Sequence, residues 1–369
     1  MGAVKRRVAF SLVVLLTAAG LAEVGARVGG SRLLPARRSL DAMPGETVPW
    51  EPNMIVDTVT GWRPRTGRQE SFGIPGGTNV NARGLRGPEL PLAKPAGERR
   101  VLLLGDSTVF GVLVSDADIF ASRLERSLQA IDGQIHVLNG GAPGWSSWQA
   151  RRAFDARLAA YSPDVVVIGT LWSDTQGAEL ADSTRFSRLM PGLDRSRAFL
   201  VVRDWVRELR WGSATEEIRV DLRPPGSGPP AQRPNAGDAA AGGVMPTPVI
   251  GEGGAPTLRV PLAEYRANLA ALAAEVTAQG AVPAFLVLPC VRDPAGHGVG
   301  DFRDDYRAAM RETAAALHAP LADTPPAFEG SDPAAMFRDD VHPSAEGHAR
   351  IAEVLTAALS EWARQKRGS

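Results

Sequence analysis

The chain has 369 residues, 44% of them hydrophobic, and its 41 Lys and Arg residues balance 41 Asp and Glu residues. This length accommodates one large or two ordinary domains with a substantial core, and the zero net charge gives no indication of nucleic acid or another charged polymer as a partner. The single cysteine, Cys290, excludes an internal disulfide and a cysteine cluster for zinc.

The first residues have the pattern of an export signal. Lys5, Arg6 and Arg7 precede an apolar run over residues 8–22, which is typical of a secretory signal peptide or a signal anchor. About fifteen residues of helix span roughly 23 Å, less than the ~30 Å hydrocarbon core of a bilayer, although tilt would allow an anchor. We therefore interpret residues 1–28 as a signal peptide or an N-terminal membrane anchor and expect the rest of the chain to be exported, to the periplasm or another extracytoplasmic location.

Two segments lack the periodicity of regular structure. Residues 29–98 are rich in Pro, Gly and Arg, and we expect an extended, partly ordered segment whose pieces at 61–64 and 81–87 lie on the surface of a domain. Residues 212–257 are rich in Gly, Pro and Ala and predict a disordered insertion. The insertion interrupts a domain over residues 99–366, because strands and helices alternate on both sides of it.

Within residues 99–366 the pattern of strand, glycine, polar residue and helix occurs repeatedly. This alternation predicts a doubly wound parallel sheet whose loops gather at one edge. An amphipathic helix is also predicted over residues 197–211, with a basic outer face. The predicted strands are Val101–Leu104, Ile135–Leu138, Asp164–Ile168, Val282–Leu288 and a short one near Leu321; the predicted helices are Asp118–Ile131, Trp148–Tyr161, Leu262–Gln279, Phe302–His318 and a last one from Ser344 to about Lys366.

Ser107 lies at the carboxyl end of the first of these strands, after Gly105 and Asp106, where open α/β sheets bind their ligands. A serine hydroxyl needs a base within hydrogen-bond reach, and the base needs a group that orients it. Of the five histidines, His342 lies just before a predicted helix and three residues after Asp339. That spacing allows one turn to present an imidazole and the carboxylate that fixes its tautomer.

These residues belong to three blocks that resemble the SGNH, or GDSL, hydrolase family: Gly105-Asp106-Ser107, Asn139-x-Gly141-x-x-Gly144 and Asp339-x-x-His342-Pro343. The blocks follow the family's order. The resemblance implies a flavodoxin-like three-layer α/β/α sandwich with a central parallel sheet, and ester hydrolysis without metal or cofactor. By this resemblance Ser107 is the nucleophile, His342 the general base and Asp339 the orienting carboxylate, with Asp340 as the alternative carboxylate. The backbone N–H groups of Ser107 and Gly141 would contribute to the oxyanion hole.

One block departs from the family pattern. Ser173, before Asp174, stands where the family usually carries an asparagine whose amide is the third oxyanion donor. A serine hydroxyl donates from a shorter side chain, and the loss of one such donor typically costs about 10²–10³ in rate. Ser173 or a neighbour replaces the donor, or activity is lower, or the chain only binds. Glu346 and His348 fit no common metal spacing with His342, and Cys290 is interpreted as a buried strand-end residue.

The sequence therefore predicts an exported serine esterase acting on O-acyl groups, acetyl groups among them, of envelope or extracellular carbohydrate, with lipid or small esters left open. Its expected partner is a small-molecule or carbohydrate ester, with no nucleic acid and with a membrane tether through residues 8–22 as one alternative. Two other functions keep the same residues: O-acyl transfer between glycans, and a catalytically weak or inactive envelope protein that binds acylated glycans.

Overall fold

A computed structural model describes residues 2–29, 47–48, 51–70, 72–178, 181–183, 196, 198–199, 202, 258–296, 298–300 and 302–365. The insertion expected at 212–257 and most of the helix expected at 197–211 lie outside these ranges. Helix α1 covers Gly2–Gly29. In the described ranges, no helix combines the length and the apolar character required to cross a membrane.

Five short strands precede the central sheet. An antiparallel sheet contains β1 (Thr47–Val48), β2 (Glu51–Asp57) and β3 (Gly61–Pro64), and a second antiparallel pair contains β4 (Gly67–Gln69) and β5 (Thr78–Val80). The expectation that residues 61–64 and 81–87 lie on a domain surface is wrong. Trp62, Leu85 and Arg86 are 6%, 2% and 4% exposed, because this segment packs into the core and makes buried hydrogen bonds with the central domain.

The central sheet is parallel and has five strands: β6 (Arg99–Gly105), β7 (Ile135–Gly141), β8 (Val165–Gly169), β9 (Val282–Val287) and β10 (Leu321–Asp323). Their spatial order is β7-β6-β8-β9-β10, which is the flavodoxin-like order. The direction of winding reverses between β6 and β8, so the carboxyl ends of these two strands border the crevice where ligands bind in such sheets. All of β6 is buried. The apolar run Val101–Leu104 predicts this, and the two arginines before the run, Arg99 and Arg100, are buried as well.

Helices cover the sheet. The helices are α2 (Ser107–Phe110), α3 (Phe120–Gln129), α4 (Ser147–Ala153), α5 (Leu262–Ala278), α6 (Arg303–Ala316), α7 (Pro333–Met336) and α8 (Ala345–Arg364). Helix α3 packs against α8, whereas α5 packs against α4 and α6. The result is the three-layer α/β/α architecture expected from the sequence.

Two elements differ from their predicted form. The helix expected over Trp148–Tyr161 is α-helical only as far as Ala153 and continues as a π-helical turn, Phe154–Leu158, and a 3-10 turn, Ala159–Tyr161. Helix α2 was not predicted, since a single helical turn has no periodicity to detect. It carries Ser107 as its first residue.

Candidate active site

Ser107 is held at the carboxyl end of β6 by a tight strand-to-helix connection. Asp106 caps α2, and its carboxylate accepts a hydrogen bond from the backbone N–H of Thr108 at 3.0 Å. Gly105 has no room for a side chain, because a Cβ atom would lie 2.1 Å from the carbonyl oxygen of Gly169 on the neighbouring strand. The close approach of β6 and β8 thus fixes the backbone from which the serine projects.

Ser107, His342 and Asp339 form a continuous hydrogen-bonded chain. The Oγ atom of Ser107 lies 2.8 Å from Nε2 of His342, and Nδ1 of His342 lies 2.6 Å from Oδ2 of Asp339. The serine is 6% exposed, whereas about half of the Asp339 side chain is exposed. The structure therefore brings together the three residues that the sequence singles out, although 235 positions separate the serine from the histidine.

His342 and Asp339, the two titratable residues of this hydrogen-bonded series, each stabilise the charged form of the other. Burial alone would lower the pKa of His342, but the Asp339 carboxylate and its hydrogen bond outweigh burial and raise the pKa above the usual value. Burial alone would raise the pKa of Asp339, but the imidazole and the backbone N–H groups of Val341 and His342 lower it. Asp340 makes no such pair with His342; burial and the neighbouring Asp339 raise its pKa.

Asp106 connects α2, the helix that begins at Ser107, to the loop after β8. Its second carboxylate oxygen accepts a hydrogen bond from the backbone N–H of Trp172 at 3.1 Å. Burial raises the pKa of Asp106 to about 6, against the effect of its hydrogen bonds, including one from the backbone of Ser173. Ser173 is 3% exposed, and among the described residues its hydroxyl has no hydrogen-bond partner. Ser173 is thus held next to Asp106 by its backbone.

The carboxyl end of β7 and the loop that follows it lie against α2. A Cβ atom on Gly141 would lie 2.4 Å from the backbone nitrogen of Phe110, so only glycine fits. The N–H of Gly141 donates to Oδ1 of Asn139 at 3.1 Å, and this bond competes with the oxyanion role that the resemblance implies. Gly144, in the left-handed region at φ 77°, has no hydrogen-bond partner for its N–H within the described residues.

The other candidate groups are structural. His348 is buried on α8, its Nδ1 accepts the N–H of Phe120, and burial lowers its pKa to about 3. Cys290 is fully buried, as predicted, and burial raises the pKa of its thiol to about 11. His136 lies on β7 with its Nδ1 3.1 Å from Glu125, and His297 is outside the described residues. No group of three or more His, Cys, Asp or Glu side chains in the described ranges could hold a metal ion.

Comparison with known proteins adds a family match and remote structural likenesses. Residues 249–350 match the model of the GDSL-like lipase/acylhydrolase family, whereas no curated protein matches the chain. The crystal structure of LAE5, an alpha/beta hydrolase enzyme from the metagenome of Lake Arreo, Spain, is 17% identical, with a TM-score of 0.45 over 72% of this chain and 96% of the other. Axe2, an acetylxylan esterase from Geobacillus stearothermophilus, is 18% identical, with a TM-score of 0.43 over 74% and 100%.

With TM-scores below 0.5, these structural likenesses carry no argument about the activity of this chain. The family match rests on sequence. Its residues include Asp339 and His342, and the fold brings Ser107, which lies outside the match, to the same hydrogen-bonded site. Over residues 249–350 the chain is thus similar to the GDSL-like lipase/acylhydrolase family.

Proposed function

We propose that the chain is an exported serine esterase that hydrolyses O-acyl esters, acetyl esters among them, of envelope or extracellular carbohydrate. The observation that carries the proposal is the hydrogen-bonded order Ser107–His342–Asp339, with distances of 2.8 and 2.6 Å. This order gives the serine the base, and the base the orienting group, that nucleophilic catalysis requires.

The reaction follows from the positions of the protons. His342 Nε2 takes the proton of the Ser107 hydroxyl as Oγ attacks the ester carbonyl carbon, and Asp339 stabilises the imidazolium that forms. The imidazolium then gives this proton to the leaving alcohol, and the acyl group remains on Ser107. A water molecule, deprotonated by His342, attacks the acyl-enzyme and releases the acid and the free serine.

The oxyanion formed in each step needs donors beside Ser107. The backbone N–H of Ser107 and the N–H groups of the Asn139–Gly144 loop are the proposed donors, and Gly144 is favoured over Gly141 because Asn139 occupies the Gly141 N–H. Ser173 supplies a hydroxyl in place of the usual amide. Since one missing donor costs about 10²–10³ in rate, we expect a slow esterase.

The proposed location and substrate rest on the first residues of the chain. Lys5, Arg6 and Arg7 before an apolar run are typical of export, and acylated carbohydrates are esters that an exported enzyme meets. Lipid and small esters remain alternatives that substrate profiling would separate.

Labelling with a fluorophosphonate and hydrolysis of short-chain aryl esters test the proposal on the full chain. We expect label on the wild type, none on Ser107→Ala, and faster turnover by Ser173→Asn, by up to about 10²-fold, because the amide restores a donor. Ester hydrolysis that survives in Ser107→Ala would show that the nucleophile is a different group.

A second function is favoured by Ser173 itself: a binding protein that retains the cleft but has lost efficient catalysis. Folded wild type and Ser173→Asn that both bind acylated glycans, take no label and turn over no ester would support this second function. Turnover that rises with added sugar acceptor and exceeds hydrolysis would instead indicate acyl transfer.

A further inference from the structure

We propose that Arg86, in the segment before the central sheet, is a positioning residue that holds the Ser107 helix in register with His342. The inference rests on the proposed function, since it concerns the geometry of that nucleophile. Arg86 touches none of the reacting groups. It acts through helix α2 and the carboxyl end of β7, both of which it contacts.

The Arg86 guanidinium is enclosed and fully hydrogen-bonded. Its side chain is 1% exposed. A guanidinium has five N–H donors, and the structure supplies five acceptor atoms. These are the carbonyl oxygens of Phe110 at 2.9 Å, Gly111 at 2.5 Å and Val114 at 2.7 Å, Oγ1 of Thr78 at 3.1 Å, and Oδ1 of Asp116 at 2.8 and 2.9 Å. A site of this kind fits arginine alone, because lysine has three donors on one atom.

Two of these acceptors are the carbonyl groups at the end of α2. A helix leaves its last carbonyls without intrahelical partners, and a helix of one turn is not stable on its own. Gly111, which ends α2, donates its N–H to the carbonyl of Ser107 at 2.8 Å, and its own carbonyl accepts a hydrogen bond from Arg86. The guanidinium therefore binds Gly111, the residue that ends the helical turn on which Ser107 lies.

Gly111 has the form that this contact requires. It lies in the left-handed region at φ 86°, and a Cβ atom there would be 3.0 Å from an Arg86 nitrogen and 2.5 Å from Ile119. A larger residue would push the guanidinium away from the helix end. The glycine and the arginine thus form one unit, although 25 positions separate them.

Arg86 also holds the carboxyl end of β7. Its backbone N–H donates to the carbonyl of Asn139 at 3.0 Å. The side chain of Asn139 donates to the carbonyl of Phe110 at 3.2 Å and accepts the N–H of Gly141 at 3.1 Å. The carbonyl of Phe110 is therefore shared by Arg86 and Asn139, and this links the nucleophile's helix to the loop that supplies the proposed oxyanion donors.

The test compares Arg86→Lys and Arg86→Ala with the same changes at Arg100. Arg100 is a matched control because its side chain is also fully buried, pairs with Glu98 at 2.5 Å and binds backbone carbonyls, but at the amino end of β6, away from Ser107. Each variant is assayed below its own unfolding temperature for kcat, for KM and for the rate of fluorophosphonate labelling.

We expect both Arg86 variants to lose kcat and labelling rate by about 10- to 100-fold with KM little changed, since small displacements of a reacting group have effects of this size. Millimolar guanidinium should restore part of the activity of Arg86→Ala. The Arg100 variants should be less stable but keep kcat. Arg86 variants that are folded and retain the wild-type kcat, or that lose no more than the Arg100 variants, would overturn the proposal.

If neither Arg86 variant folds, the kcat of Asp116→Asn tests the proposal instead. Asp116 is half exposed and can be replaced without a buried void, and loss of its charge should loosen the guanidinium and lower kcat a few-fold. An unchanged kcat in Asp116→Asn would then count against the proposal. The two levels are separable: label that persists in Ser107→Ala refutes the proposed nucleophile, whereas a labelled Ser107 with Arg86 variants of normal rate refutes only the positioning role.

Discussion

The carboxylate of Asp339 builds the turn and orients the imidazole at the same time. One oxygen accepts the backbone N–H groups of Val341 at 2.9 Å and His342 at 2.8 Å, which leaves the other for Nδ1 of His342. The spacing of three residues is needed because these backbone bonds fold the chain back on itself. The same bonds help to lower the pKa of Asp339, which lies beside the imidazole that is hydrogen-bonded to Ser107.

Replacement of Asp339 by Asn should lower kcat by about 10⁴-fold, the loss seen when a triad carboxylate becomes an amide. Because Asp339 raises the pKa of His342, and because only the neutral imidazole can act as a base, the acid limb of the kcat/KM profile should move to lower pH in the variant. Asp340→Asn is the matched control and should keep both the rate and the limb near wild type. A large loss in Asp340→Asn with little in Asp339→Asn would reverse the assignment.

At the residue scale, the three sequence blocks single out Ser107, His342 and Asp339, which the structure brings together, but they do not indicate the residues that support them. Arg86 belongs to a Gly- and Arg-rich stretch with no periodicity, and the carbonyl groups that its side chain binds lie 24 to 28 positions away. The hydrogen bond from the Gly141 N–H to Asn139 depends on the orientation of the Asn139 side chain. Such contacts arise only when separate segments pack, and no local pattern encodes them.

The ends of β6 and β8 show why glycines stand at the site. Gly105 pairs with Gly169 in the parallel register, and a Cβ atom on Gly105 would also lie 2.4 Å from a methyl group of Val109 on α2. The two strands and α2 meet at a point that admits no side chain. The contact between β6 and β8 and the position of Ser107 therefore both depend on the absence of a Cβ atom at Gly105.

Gly105→Ala should destabilise the fold by at least about 1–3 kcal/mol, the usual cost of overpacking, because the obstacle is backbone and cannot rotate away. Urea unfolding measures the change in free energy. Gly133→Ala is the control, since no atom lies within 4 Å of a Cβ atom at that position, and its free energy of unfolding should stay near wild type. Equal stability of the two variants would disprove the close-packing argument.

Elements with a clear period or a strong cap were predictable, and those without one were not. The buried strands, the helix Leu262–Ala278 and the Ser344 cap, which accepts the N–H groups of Glu346 and Gly347, appear close to their predicted positions. The helix after Ser146 changes to a π-helical turn at Phe154. Its apolar residues fit either geometry, so the pattern cannot tell them apart.

At the scale of the whole molecule, the segment before the sheet is part of the site's support. Trp62 donates its indole N–H to the carbonyl of Pro143 at 3.1 Å, and Trp145 donates to the carbonyl of Trp62 at 2.8 Å. Gln149 on α4 donates to the carbonyl of Thr60 at 2.6 Å. These bonds fix the loop between β7 and α4 from outside the sheet, a role that the composition of residues 29–98 did not indicate.

The interior also holds titratable groups whose effects on stability oppose one another. Burial lowers the pKa of His348 to about 3, so the native state resists its protonation and loses stability as pH falls below the unfolded pKa of about 6.5. Burial raises the pKa of Asp106 to about 6 and of Asp174 to about 7. Each carboxyl stabilises the native state fully below its unfolded pKa, and that stabilisation disappears as pH rises through the folded value.

Asp174 offers the cleanest test of this balance, because one of its carboxylate oxygens is buried without a partner among the described residues while the other accepts the N–H of Ser147 at 2.8 Å. Because Asp174 holds a proton in the native state but not in the unfolded state between about pH 4 and 7, the free energy of unfolding should decrease by roughly 1.4 kcal/mol for each unit by which the pH rises in this range. Asp174→Asn keeps an oxygen that accepts the N–H of Ser147 but removes the titratable group. The free energy of unfolding of this variant, measured in urea across the same range, should therefore decrease less steeply as the pH rises. Asp155→Asn, which removes one negative charge at an exposed position, is the control, and slopes that coincide in all three proteins would show that Asp174 does not carry the effect.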